Sequence, residues 1–212
     1  MKLETEIENL KQMVLKMSDV VVDNINTSID NYLGKTNEIV NDDVVDKFER
    51  LIEEMCLTIL LKERPYASDL KQVTGILKLV TDLERIGDHA EDIITFSTKI
   101  KDIPGDPKHH DTIDKLAQYV IDMLQRAVNS YINLDVNEAK DVIKSDDYVD
   151  KKYDEIVEQL AHGNTSEANY LPFAIYSTLV VKYLERIADH SVNIAEWVIY
   201  IESGYYKDKK IY

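Results

Sequence analysis

The chain has 212 residues, with 40 Asp and Glu against 25 Lys and Arg and a formal charge of -15; it is long enough for a real core in one domain or two small ones. That charge argues against a nucleic-acid backbone or an anionic lipid surface as partner and favours cations and basic protein surfaces. The single Cys56 leaves no internal disulfide and fits a reducing compartment. No run has the apolar core of a signal peptide or the roughly 20 apolar residues of a membrane span, so a cytoplasmic address is expected, with any place at the membrane held through a partner.

Six Gly and four Pro leave few turns, and apolar residues recur at spacings of three and four through most of the chain, which predicts helices. The first stripe runs Leu3, Ile7, Leu10, Met13, Val14, Met17, Val21 and Ile25 and stops near Gly34, a residue suited to a helix C-terminus. Val45, Phe48, Ile52, Met55 and Ile59 mark a second helix ended by Pro65, which lacks a helical donor. A third follows through Leu70, Val73, Leu77, Val80, Leu83, Ile86, Ala90, Ile93 and Ser97. The stretch DIPGDP at 102–107 then breaks the pattern. Beyond it, Ile113, Leu116, Val120, Leu124 and Val128 predict a fourth helix that a His109-His110 pair opens in an exposed position. Val142, Val149, Ile156 and Leu160 predict a fifth, and a long sixth runs from about Glu167 to Ser203. Asn133-Leu134-Asp135 and His162-Gly163-Asn164 supply the turns. The expected fold is all-α: two tandem three-helix bundles, 1–103 and 108–212, joined by a linker at 104–107.

The halves also repeat in sequence. LERIGDHAEDI at 83–93 returns as LERIADHSVNI at 184–194 on the third helix of each half, and DDVVDK at 42–47 returns as DDYVDK at 146–151 on the middle helix. Each element holds acids four apart: Asp42 and Asp46, Glu84 and Asp88, Asp146 and Asp150, Glu185 and Asp189. On a helix such pairs point the same way and repel unless a positive charge lies between them. A chain this acidic contains about seven such pairs by independent placement, most of them on solvated faces. What singles these out is their retention at equivalent positions of two repeats whose flanking helix surfaces have diverged. On the third helices Glu84, Asp88 and Glu91, matched by Glu185, Asp189 and Glu196 with Asn193 beside them, lie just beyond the apolar edge.

Arg85 and Arg186 are three residues before Asp88 and Asp189, a spacing for structural ion pairs, for charge tuning of an acidic site or for partner contact. His89 and His190 are candidate ligands through an imidazole nitrogen, or residues behind the ligands. Cys56 reads as a small core residue. An oxygen-rich set excludes a Cys-based zinc site and leaves hard cations such as iron, manganese, magnesium or calcium. The chain carries no Gly-rich phosphate loop, no H-E-x-x-H and no Ser-His-Asp arrangement, and the expectation is a protein without catalytic residues.

On DDVVD (42–46), LERIGDHAEDI (83–93), DDYVD (146–150) and YLERIADHSVNIAEWV (183–198), the chain resembles the PhoU family of phosphate-transport regulators along essentially its whole length. The resemblance implies a cytoplasmic homodimer of six-helix subunits that binds multinuclear metal clusters, iron foremost, with manganese, magnesium or zinc as alternatives. By position it implies Asp42, Asp46, Glu84, Asp88, Asp146, Asp150, Glu185 and Asp189 as ligands, with Asn193 and Glu196 as further candidates; Glu91, His89 and His190 are additional or supporting groups on the reading of the residues alone. The implied role is that of a negative regulator of phosphate uptake and of the starvation response, an adaptor between the phosphate ABC transporter, through its ATPase subunit, and the phosphate-sensing histidine kinase. Asp92 stands where the second half has Asn193, so the two sites are expected to differ. The alternatives are a carboxylate-bridged metalloenzyme, a plain helical interaction protein, and a regulator of an ion-driven phosphate permease.

Overall fold

A computed structural model of the chain describes residues 2–40, 42–103, 107–163, 169–206 and 209–210. The linker residues 104–106, the turn residue Asn164, the predicted helix start at Glu167 and the side chain of Asp42 lie outside what is described. Among the described residues six helices carry the fold: α1 Lys2–Tyr32, α2 Asp42–Lys62, α3 Ala67–Ile100, α4 Pro107–Asn133, α5 Val136–Ala161 and α6 Tyr170–Ser203. A two-residue antiparallel ladder, β1 Tyr205–Tyr206 with β2 Lys209–Lys210, follows α6.

The turns are made by backbone positions that few residue types tolerate. Gly34 (φ +70°) closes α1, its N–H donating to the Asn31 carbonyl, while the Lys35 N–H donates to the Asp30 carbonyl. Leu134 bends the α4–α5 corner at φ +53°, and the Asp135 carboxylate then accepts from the Asn137 and Glu138 N–H groups at 3.0 and 3.1 Å, capping α5. Gly204 (φ +79°) ends α6 with its N–H on the Tyr200 carbonyl.

α1, α2 and α3 form one three-helix bundle and α4, α5 and α6 the other, and the most extensive helix contact in the molecule is α3 with α6, one from each bundle. The two helices run antiparallel. Lys71 near the start of α3 donates to the Ile201 carbonyl near the end of α6 at 3.0 Å, and Phe96 near the end of α3 stacks on Tyr176 near the start of α6. Leu83, Ile86, Ile93, Leu184, Ile187 and Ile194 are buried in a core that is continuous through both bundles. Buried hydroxyls are satisfied locally, as Ser97 on the Ile93 carbonyl and Ser191 on the Ile187 carbonyl. Tyr32 donates to Ser177 Oγ across the bundles at 2.9 Å. The middle helices are peripheral: among the described residues α2 packs only on α1 and α3, and α5 only on α4 and α6. His109 and His110, expected in an exposed position, are both half-buried: the His110 ring is edge-on to Tyr32 at 5.2 Å and 6.0 Å from Phe173, and the His109 ring lies 6.2 Å from Phe173. The covering rings come from α1 and α6, which the apolar stripe of a single helix does not contain.

Candidate functional site

In the first bundle the acids of α2 and α3 face one another. The core stripe of α2 (Val45, Ile52, Cys56, Ile59) leaves Asp46, Glu49 and Glu53 on the edge toward α3, where Glu84 and Asp88 lie just outside that helix's own stripe. The Glu84 side chain is 16 % exposed. Its carboxyl is pushed up from the ordinary range by burial and by Asp88, with Glu49 and Asp46 adding in the same direction and Arg85 opposing. Glu49 is raised as well, by burial and then by Glu53 and Asp46. The positive charge inside the cluster comes from the chain itself: Arg85 donates to Asp88 at 2.9 Å and lies 3.4 Å from Glu84 Oε2. That Glu84 oxygen is buried and accepts no hydrogen bond.

The second bundle repeats the arrangement with different cations. Asp146 of α5 is pushed up to about 6 by burial, followed by Asp150, and by Asp189 and Glu185 of α6; its Oδ1 is buried and accepts no hydrogen bond. Asp189, which reaches solvent, is raised by partial desolvation and by Glu185, with Lys182 opposing. Lys182 donates to Glu185 at 2.5 Å. Arg186 does not play the part of Arg85: its guanidinium lies 5.2 Å from the Tyr183 ring centroid. Thus the four acid pairs noted in the sequence assemble, within the described side chains, into one cluster per bundle. Glu91 is exposed and Glu196 half-buried farther along their helices.

The two histidines belong to neither cluster. They meet at the α3–α6 crossing, ring centroids 5.5 Å apart. His190 Nδ1 pairs with Asp82 at 2.8 Å, and the Asn193 amide donates to the same Asp82 oxygen at 3.2 Å. On the repeat-related side, His89 packs on Tyr183 at 5.1 Å and its Nδ1 lies 3.8 Å from Asp92. Tyr183 occupies the position equivalent to Asp82, and Asp92 the position equivalent to Asn193. Burial, then the neighbouring His190, pushes His89 down to about 4, so its imidazole is neutral at pH 7. Asp82 and Tyr183 were not singled out from the sequence. The available signal was that each directly precedes or opens the repeated segment and that the pairs Asp82/Tyr183 and Asp92/Asn193 differ together.

The donors in both clusters suit a hard cation: oxygen only, two carboxylate oxygens buried without a hydrogen-bond donor, and pKa values raised by burial and then by neighbouring carboxylates. Among the described residues no three His, Cys, Asp or Glu side chains converge as a ligand set; Arg85 and Lys182 hold the carboxylates instead. A cavity of about 440 Å³ between the bundle ends is lined by Tyr32, Lys101, His110 and Phe173 and by none of these acids.

The PhoU domain family model matches residues 14–96 and again 113–198, one match per bundle. The phosphate-specific transport system accessory protein PhoU homolog of Synechocystis sp. is 34% identical over 206 residues, covering 95% of this chain and 91% of that protein. The corresponding homolog of Aquifex aeolicus is 34% identical over 210 residues, 96% of this chain and 94% of its own. The crystal structure of PhoU from Pseudomonas aeruginosa superposes with a TM-score of 0.86 at 27% identity, over 95% of this chain and 99% of that one.

Proposed function

The chain belongs to the PhoU domain family, and from that premise we propose that it is a regulator of phosphate transport that restrains uptake and the starvation response when phosphate is plentiful. In this reading it works in the cytoplasm as a homodimeric adaptor between the ATPase subunit of a phosphate ABC transporter and a phosphate-sensing histidine kinase. Relatives named as accessory proteins of the phosphate-specific transport system support the reading, as does the absence, among the described residues, of any helix long and apolar enough to cross a membrane.

The observation that carries the site assignment is the doubling of one acid cluster at repeat-equivalent places. We assign cation binding to Asp46, Glu84 and Asp88 with Asp42, and to Asp146, Asp150, Glu185 and Asp189, with iron first and manganese, magnesium or zinc as alternatives. A bound cation supplies charge neutralisation between helices: it would staple α2 to α3 and α5 to α6, or bridge the carboxylates to phosphate or a partner. Arg85 and Lys182 then act as gatekeepers that the cation must displace. The test is phosphate uptake in excess phosphate by cells lacking the protein, with and without a copy carrying Glu84→Gln, Asp88→Asn, Glu185→Gln and Asp189→Asn. Raised uptake on deletion that the variant fails to lower is the expected result. Unchanged uptake on deletion would overturn the regulatory reading, and full rescue by the variant would overturn the role of the acids.

A further inference from the structure

In each repeated segment a histidine follows the second acid directly, Asp88-His89 on α3 and Asp189-His190 on α6. Consecutive residues on a helix point about 100° apart, so the aspartates turn to the acid clusters while the histidines turn to the α3–α6 crossing. There the two rings meet, with centroids 5.5 Å apart and planes inclined at 44°.

Each imidazole has a carboxylate on its Nδ1 side. Asp82 of α3 reaches across to His190 Nδ1 at 2.8 Å and is held from its own side by the Asn193 amide. Asp92, one turn beyond His89, lies 3.8 Å from His89 Nδ1, and the Tyr183 hydroxyl hydrogen-bonds to it. His89 Nδ1 itself is buried and makes no hydrogen bond. Among the described residues neither Nε2 has a hydrogen-bond partner. A carboxylate behind Nδ1 favours the tautomer with its proton there and leaves Nε2 a lone pair, the arrangement that accompanies most metal-bound histidines. The two side chains are 12% and 22% exposed, shielded but within reach of a small ion. Asp82 and Asp92 outnumber Arg186, which lies over the Tyr183 ring, so the crossing is net negative.

We propose that His89 and His190 together hold one borderline divalent cation of the zinc, nickel or copper class between α3 and α6, with Asp82 and Asp92 as positioning residues behind them. An ion about 2.1 Å from one nitrogen of each ring leaves the centroids about 5–5.5 Å apart at tetrahedral or slightly wider angles, and the observed spacing meets this. Imidazole nitrogen separates the site from the acid clusters, whose oxygens suit hard cations. No third His, Cys, Asp or Glu converges among the described residues, so water completes the coordination. A cation in either acid cluster ties helices within one bundle, whereas this one would tie the two bundles across their most extensive contact. The site stands apart from the phosphate reading and from the acid clusters, so either assignment can fail without the other.

The test uses the full chain in excess Mg2+, which fills hard-cation sites. Zn2+ is titrated by calorimetry, and pulsed electron paramagnetic resonance of the chain with one equivalent of Cu2+ reads coordinated imidazole through its remote nitrogen. Saturable 1:1 Zn2+ binding and modulation from two imidazoles on one Cu2+ are expected in the unaltered protein, a result that depends on no variant folding. His89→Gln and His190→Gln, with unchanged circular dichroism, should each leave one imidazole and weaken Zn2+ at least about tenfold. Asp82→Asn should weaken Zn2+ about tenfold while the two-imidazole signal persists, and by more than Asp92→Asn does. A His109→Gln/His110→Gln variant and the Glu84→Gln/Asp88→Asn/Glu185→Gln/Asp189→Asn variant should both bind as the unaltered protein does. Absence of saturable Zn2+ binding, fewer than two imidazoles in the unaltered protein, or a two-imidazole signal that survives His190→Gln would overturn the proposal and leave the histidine pair as packing alone. Loss of binding in the His109/His110 variant or in the acid variant would place the ion elsewhere and overturn it equally.

Discussion

At the residue scale, the polar contacts at the α3–α6 crossing have defined consequences. Asp82 accepts from Asn193 and pairs with His190, so Asp82→Ala removes both contacts and leaves the half-buried His190 Nδ1 without this carboxylate, which should cost about 1–3 kcal/mol of unfolding free energy. Urea denaturation of the variant checks this, and an unchanged midpoint would refute the pairing. Asp146 makes a pH prediction. Its folded pKa of about 6 lies above the ordinary 3.8, so the folded state binds this proton more readily than the unfolded state does. The resulting destabilisation is fully present above pH 6 and fades as pH falls toward 4. Asp146→Asn should therefore be more stable than the unaltered protein at pH 7.5, with a gap in Tm that closes as pH falls. A gap that does not vary with pH would contradict the shift. The acids themselves were legible in the sequence because they recur in register. Arg186 was not: its spacing to Asp189 matches that of Arg85 to Asp88, but Tyr183 on its own helix, where the first repeat has Asp82, offers it a ring face instead.

At the element scale, the helices and most of their ends followed from stripes of three and four and from Gly34, Pro65 and the 102–107 break. The predicted exposure of His110 failed because a single-helix pattern does not contain the faces of other helices that cover it. The same limitation hid Gly75. A Cβ built there lies 2.7 Å from Cδ1 and 3.0 Å from Cγ1 of Ile201, the tip of a buried side chain on α6. Gly75→Ala should be close to neutral, since the tip can swing away and Ala favours the helix by about 1 kcal/mol. Gly75→Leu should destabilise by about 1–3 kcal/mol through overpacking of α3 on α6. Adding Ile201→Ala should recover part of that loss. A double variant no more stable than Gly75→Leu alone would show that the strain lies elsewhere.

At the scale of the whole molecule, the division into 1–103 and 108–212 describes the repeat rather than two independent bodies. The core runs through the α3–α6 contact without interruption, so heat or urea should unfold the chain in one transition that coincides by near- and far-ultraviolet circular dichroism. A fragment of residues 1–103 would expose the side of α3 that carries Gly75, Asp82, His89 and Phe96 against α6, with the buried Ile86 and Ile93 one turn from Asp82 and His89, and should aggregate or lack fixed tertiary packing. Two resolved transitions, or a well-dispersed NMR spectrum from the fragment, would show instead that each bundle is stable alone.

The crossing of α3 and α6 also bears on how such a chain can change. Were this contact made between two identical subunits, every substitution at it would appear twice and would have to suit both sides at once. Joining the halves in one polypeptide removes that constraint: Asp82 with Asn193 on one side and Tyr183 with Asp92 on the other are different solutions to one pseudo-symmetric contact. Each side is therefore open to single-step inheritance of its own specialisation, and a lesion on one side does not predict the phenotype of its counterpart.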